Sequence, residues 1–174
     1  MTEDQFYKSK IFEKKGLNEL KNTFPHLKPQ ISNWYKSRRY NEIQERKQFL
    51  LNKLKQMSED DNIIQFTDGH LYELYLWWND IPKQCHYCSL PDYLLETLRE
   101  LPGHINKRYP QRGRSLEIDR KISELPYTNI NNLVLACYWC NNAKTDTFLY
   151  EEFIPIGHEI KKIWEKRLNL NLQL

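Results

Sequence analysis

The sequence contains no apolar run approaching the length of a bilayer crossing, and its opening residues, MTEDQFYKSK, lack the hydrophobic core of a secretory leader. No membrane partner is expected, and a cytoplasmic location is. A strong charge of one sign is also missing. The 26 Lys and Arg against 23 Asp and Glu leave a formal charge of +3, so any polyanion contact has to come from local clustering. Internal repeats and low-complexity tracts are absent. Cysteine is sparse, with four residues grouped in two CxxC pairs. In a reducing compartment such pairs read as metal ligands rather than disulfides.

What is present suffices for a core. Of 174 residues, 40% are hydrophobic and 13% aromatic, while 28% charged residues and a mean hydropathy of −0.80 place much of the surface in water. One domain with a helical elaboration fits this length.

Residues 1–66 read as a basic helical region. Phe6, Ile11, Phe12, Leu17, Leu20, Ile31, Trp34, Tyr35, Phe49, Leu50 and Leu54 recur at helical spacing, with breaks near Pro25 and Pro29. The segment from Tyr35 to Lys55 carries Lys36, Arg38, Arg39, Arg46, Lys47, Lys53 and Lys55 against Glu42 and Glu45. It is a solvated helix face or a surface that grips phosphates. An acidic break at Ser58 to Asn62 precedes a helix through HLYELYLWW that Thr67 can cap, with Leu71, Leu74, Tyr75 and Trp78 on its core face. PDYLLETLREL predicts a short helix, and the loop after it, HINKRYPQRGR, brings Lys107, Arg108, Arg112 and Arg114 up to the next strand. Residues 151–174 form a terminal docking helix, with Ile156, Ile160, Ile163, Trp164 and Leu168 at helical spacing.

Cys85-His86-Tyr87-Cys88 and Cys137-Tyr138-Trp139-Cys140 each place two thiolates across a tight knuckle, and together they can close a tetrahedral zinc site. Four sulfurs leave no open position, so that zinc is structural and any hydrolytic chemistry sits elsewhere. His86 is then a surface residue rather than a ligand.

LEID alternates as a short strand, with Leu116 and Ile118 on one side and Glu117 and Asp119 on the other. NLVLAC is a second strand, and a helix is expected to begin directly after Cys140 with Asn141 first. Asp119 and Asn141 can then converge on a hard cation, their carboxylate and amide oxygens suiting Mg2+ or Mn2+.

The order CxxC, an Asp-centred strand, then NLVLACYWCN followed by Ala-Lys resembles the HNH endonucleases of the ββα-metal group, in the subset braced by a four-cysteine zinc. The resemblance spans Cys85 to Phe148, about a third of the chain. It implies an α+β, mostly helical fold in which a zinc-braced HNH core over residues 67–150 is flanked by N-terminal and C-terminal helices. It also makes Asp119 and Asn141 ligands of the catalytic divalent ion, Asn132 the middle asparagine that pins the loop and orients the base, and Lys144 a lysine near phosphate. Most of the family has histidine as general base directly after the aspartate, where this chain has Arg120. A guanidinium stays protonated, so Arg120 can clamp the scissile phosphate but cannot be that base. Tyr127 is the first candidate for the activating role, with His104 and Tyr109 behind it.

The function implied is metal-dependent hydrolysis of phosphodiesters in DNA, of restriction, defence or mobile-element type. Lys36, Arg38, Arg39, Arg46, Lys107, Arg108, Arg112, Arg114 and Lys144 are the candidate DNA contacts, and a homodimer is an allowed assembly. The alternative is a catalytically inactive zinc-stabilised DNA-binding or interaction module, which would need only the cysteines.

Overall fold

The computed structural model describes residues 1–57, 66–101 and 112–169. The chain adopts the mostly helical α+β architecture expected, with one two-stranded sheet among the described residues. None of the described helices is long and apolar enough to cross a membrane. Two compact units divide at Asp80/Ile81.

The first unit, Met1–Asp80, is helical. Its elements are α1 (Glu3–Tyr7), continued by a π turn over Lys8–Phe12, then α2 (Leu17–Thr23), α3 (Lys28–Tyr35), α4 (Arg38–Met57) and α5 (Asp68–Asp80). Thr2 caps α1 in a reciprocal box with Gln5. Pro29 sits in the first turn of α3, where it costs no hydrogen bond, so it starts a helix rather than breaking one. Thr67 Oγ1 accepts from the His70 amide at 3.4 Å to cap α5. Phe6, Phe12, Ile31, Leu50, Leu54, Leu74 and Trp78 supply the core. The helix placed at the head of the nuclease core by the 66/67 boundary is α5, which packs on α4 and on the Lys8–Phe12 turn within this unit. The expected acidic break at Ser58 to Asn62 lies outside the described residues.

The second unit, Ile81–Leu174, carries both cysteine pairs. After the first knuckle come a 3-10 turn over Asp92–Leu94 and α6 (Leu95–Glu100), then β1 (Glu117–Arg120), β2 (Leu133–Ala136), α7 (Tyr138–Lys144) and α8 (Tyr150–Leu168). The strands are antiparallel, pairing Glu117 with Ala136 and Asp119 with Val134. The knuckle joins the sheet through the His86 amide, which donates to the Leu135 carbonyl at 2.7 Å. Asp92 Oδ1 accepts from the Leu116 amide at 2.7 Å and ties the start of β1 to the same region.

One boundary and one helix face differ from the sequence reading. The helix after β2 begins at Tyr138, not Asn141, because Cys137 is at once a knuckle cysteine and the N-cap, its Sγ accepting from the Cys140 amide at 3.5 Å. On α8 the buried residues are Phe153, Gly157 and Trp164, while Ile163 is 46% exposed. Of the expected stripe, Trp164 is buried, Ile156, Ile160 and Leu168 are half-buried, and Ile163 alone faces outward, while Phe153 and Gly157 complete the face that packs. Phe153 meets Tyr87 edge-on at 5.0 Å, and Trp164 meets Trp139 at 5.1 Å.

Candidate active site

The knuckles come first in the folding logic. Cys85, Cys88, Cys137 and Cys140 are each fully buried, and their sulfurs all lie within 4.8 Å of one another. Cys88 Sγ and Cys137 Sγ are 3.7 Å apart. Four sulfurs about 2.3 Å from a tetrahedral zinc have edges of about 3.8 Å, so the cluster already has the size of a ZnS4 site. Burial works against a thiolate at Cys85, yet hydrogen bonds from Cys137, Cys140 and Cys88 outweigh it and hold that thiol well below the ordinary range. Burial, with the crowding of the other thiols, pushes Cys137 well up. Four soft sulfur donors packed this closely in a closed pocket, one of them already favoured as thiolate, form a set that a metal cation can share. His86 is exposed and bonds Tyr150 Oη at 2.8 Å, apart from the sulfurs.

One face of β1 then presents acids to α7. Strand alternation puts Glu117 and Asp119 on the same side, while Leu116 and Ile118 are buried at 1% and 0% exposure. Asp119 is itself only 8% exposed. Its Oδ2 accepts from Tyr87 Oη at 2.7 Å and lies 3.8 Å from Lys144 Nζ. Burial raises the Asp119 pKa, and the Tyr87 hydrogen bond and the Lys144 charge oppose that rise without cancelling it. One turn earlier on α7, Asn141 Nδ2 donates to Glu117 Oε2 at 2.7 Å. The helix is thus pinned to the strand twice, with Asn141 on Glu117 and Lys144 on Asp119.

Arg120 follows on the strand. Its guanidinium lies 4.6 Å from the centroid of the Tyr127 ring and donates to the Leu125 carbonyl at 3.3 Å. Burial pushes the Tyr127 phenol up, although Arg120 beside it pulls the other way. A phenol shifted in that direction keeps its proton at neutral pH, so it is better suited to donating than to accepting a proton. Asn132 is 5% exposed and reads both sides of one peptide: Oδ1 accepts from Ile122 N at 3.0 Å, and Nδ2 donates to Ile122 O at 2.9 Å. It closes the loop that carries Tyr127.

The candidate DNA contacts fare unequally. Lys144 is 1% exposed and its Nζ donates to the Arg120 carbonyl at 2.9 Å, so it is internal structure and not a surface ready for phosphate. Lys36, Arg38, Arg39 and Arg46 are exposed. Arg38 pairs with Glu42 at 2.6 Å, Arg39 with Asp4 at 2.8 Å, and Arg46 lies over Phe49. Two neighbours in the same basic helix are drawn inward: Lys47 Nζ donates to the Ile11 carbonyl at 2.8 Å, and Lys53 is 9% exposed. Arg112 engages Glu117 and Arg114 pairs with Glu96. Lys107 and Arg108, with His104 and Tyr109, lie outside the described residues.

Two contributors escaped the sequence reading. Tyr87 lies inside the CxxC knuckle, and nothing in the local spacing marks its hydroxyl as a partner of Asp119. Glu117 was placed on the Asp119 face by strand alternation, and that alternation was the signal that could have assigned it.

No family model and no curated protein sequence matches the chain. Among solved structures the chain is similar to the rare-cutting HNH restriction endonuclease PacI, with 26% sequence identity, 67% of this chain and 73% of that chain covered, and a TM-score of 0.45.

Proposed function

We propose that this chain is a metal-dependent DNA endonuclease of the HNH kind that hydrolyses phosphodiester bonds, in a restriction, defence or mobile-element setting. The observation that carries the reading is the buried carboxylate of Asp119, set on a strand directly against the helix that bears Asn141 and braced by the four-cysteine cluster. Burying a carboxylate is unfavourable even with a lysine beside it, and a zinc scaffold has no use for one. Its oxygens together with an amide oxygen form a hard donor set, which suits Mg2+ or Mn2+ and not a second zinc held by sulfur.

When bound, such an ion supplies Lewis-acid stabilisation of charge on the scissile phosphate and the leaving oxygen. The chain's own residues do the rest. Asp119 and Asn141 would hold the ion, and Tyr87 and Lys144 orient Asp119. Arg120 is a fixed positive charge, steadied by the Leu125 carbonyl and the Tyr127 ring, that would neutralise a phosphate oxygen as charge builds on it. Tyr127 would orient or donate to an oxygen of the reacting phosphate, and Asn132 holds its loop in place. The exposed Lys36, Arg38, Arg39 and Arg46 would hold duplex through its backbone.

The test is supercoiled plasmid incubated with the zinc-loaded full chain and Mg2+ or Mn2+. Nicked or linear product is expected, and Asp119→Ala and Asn141→Ala should each lower the rate by roughly 100-fold or more. Cutting that survives both substitutions refutes the assignment. The second reading, a zinc-stabilised DNA-binding module without catalysis, is favoured by one feature, an arginine standing where a histidine base would be. DNA binding with no cleavage under either ion would support it.

A further inference from the structure

Glu117 lies on the same face of β1 as Asp119 and is held from two sides. Arg112 grips it through two parallel bonds, Nε to Oε1 at 3.0 Å and Nη2 to Oε2 at 2.6 Å. The same guanidinium lies 4.7 Å from the centroid of the Tyr138 ring, in the first turn of α7. From the helix, Asn141 Nδ2 donates to Oε2 at 2.7 Å. The Glu117 side chain is 14% exposed and that of Arg112 is 42% exposed, so this is a partly sheltered pair rather than a loose surface contact.

The chemistry of the Glu117–Asn141 contact decides which way the amide faces. An ionised carboxylate can only accept hydrogen bonds, so the amide must turn its NH2 toward Glu117 and its Oδ1 away. Only Oδ1 can ligate a hard cation, and a flipped amide would point N–H groups at it. We propose that Glu117 is a positioning residue that locks Asn141 in the orientation with its oxygen toward the divalent cation, and that Arg112 holds Glu117 to that task. This rests on the nuclease reading above. Glu117 is not itself a ligand: both its oxygens are engaged, and an incoming cation would have to displace a bidentate guanidinium.

Two measurements on the zinc-loaded full chain test this, with zinc content confirming that each variant is folded. In divalent-free protein, the Asn141 side-chain NH2 is followed by 15N–1H NMR. One of its protons should be shifted downfield and slow to exchange, and Glu117→Ala should abolish both features. Mn2+ binding is read by the loss of the free-ion EPR signal. Glu117→Ala should weaken it roughly 10- to 100-fold, the usual effect of removing a group that orients a ligand. Glu117→Gln keeps an acceptor oxygen and should stay within about threefold of the parent. In an Asn141→Ala background, Glu117→Ala should add nothing, because its influence runs through the amide. The proposal is overturned if Glu117→Ala leaves Mn2+ binding intact while Asp119→Ala removes it. It is also overturned if Glu117→Gln is as weak as Glu117→Ala, or if the loss persists in the Asn141→Ala background. If Asp119→Ala and Asn141→Ala leave Mn2+ binding unchanged, the nuclease reading falls and this inference falls with it.

Discussion

A single methyl group added to α8 should damage this protein, while the same methyl added to α5 should not. Gly157 passes the first knuckle so closely that a Cβ there would lie 2.7 Å from the Tyr87 carbonyl oxygen, 2.8 Å from Tyr87 Cβ and 3.0 Å from its carbonyl carbon. Two of those atoms are backbone, in a residue held in the tight knuckle between Cys85 and Cys88, and they cannot rotate aside. Overpacking of a closed core costs about 1–3 kcal/mol, and a clash with fixed backbone belongs at the upper end. Replacing glycine by alanine inside a helix returns about 1 kcal/mol, so Gly157→Ala should lose about 2 kcal/mol net. At Gly69 in α5 the nearest atom to an added Cβ is Thr67 Oγ1 at 3.6 Å, an ordinary contact. Gly69→Ala should therefore stabilise, by up to about 1 kcal/mol. Denaturant titration of the zinc-loaded chain by tryptophan fluorescence and circular dichroism measures both, with Trp164 and Trp139 on α8 and α7 reporting the second unit. Plasmid cleavage should fall in Gly157→Ala as well, since a displaced Tyr87 moves Asp119. If the two alanines shift stability in the same direction, the close approach of α8 is absent and the reasoning fails.

Tyr87→Phe removes a hydrogen bond to the ionised form of Asp119, whose pKa burial has already raised. With the folded value above the unfolded one, the associated stability is present at acid pH and lost as pH climbs through the raised value. Cation binding, which needs the carboxylate, grows over the same span. The pH profile of Mn2+ affinity should move to higher pH in Tyr87→Phe, and an unshifted profile would count against Tyr87 as the orienting group. Freshly purified protein should carry about one zinc per chain, resistant to brief EDTA treatment, and metal analysis finding none contradicts the four-thiolate site. DNA affinity should fall steeply with salt, and replacing Arg38 or Arg46 by glutamine should lower the slope by about one each. A flat dependence removes these residues from the phosphate contacts.

The sequence made the sulfur pairs and the alternation in LEID and NLVLAC readable because each is a short-range pattern with few physical solutions. The strands formed where alternation put them, and the four sulfurs came together as their spacing implied. The fate of individual cations was not readable. Lys144, Lys47 and Lys53 look in sequence like Arg38 or Lys36, yet their long stems carry the ammonium inward to carbonyls and rings that only the tertiary fold supplies. The start of α7 differs from the sequence expectation for a related reason. Spacing alone reads the knuckle and the helix cap as successive features, whereas Cys137 serves as both.

Tyr87 couples the cysteine cluster to the acid site. It stands between Cys85 and Cys88, its ring is buried against Phe153, and its hydroxyl ends on Asp119. A phenol has two side-chain torsions, and here both are fixed: the knuckle sets where the ring starts, and α8 limits where it can go. The position of the carboxylate is therefore set by the sulfur cluster through one rigid side chain. Loss of a metal held by the four sulfurs would loosen the knuckle and release the Asp119 geometry even where the strands and helices persist. The cysteine cluster would in this way govern where the Asp119 carboxylate stands.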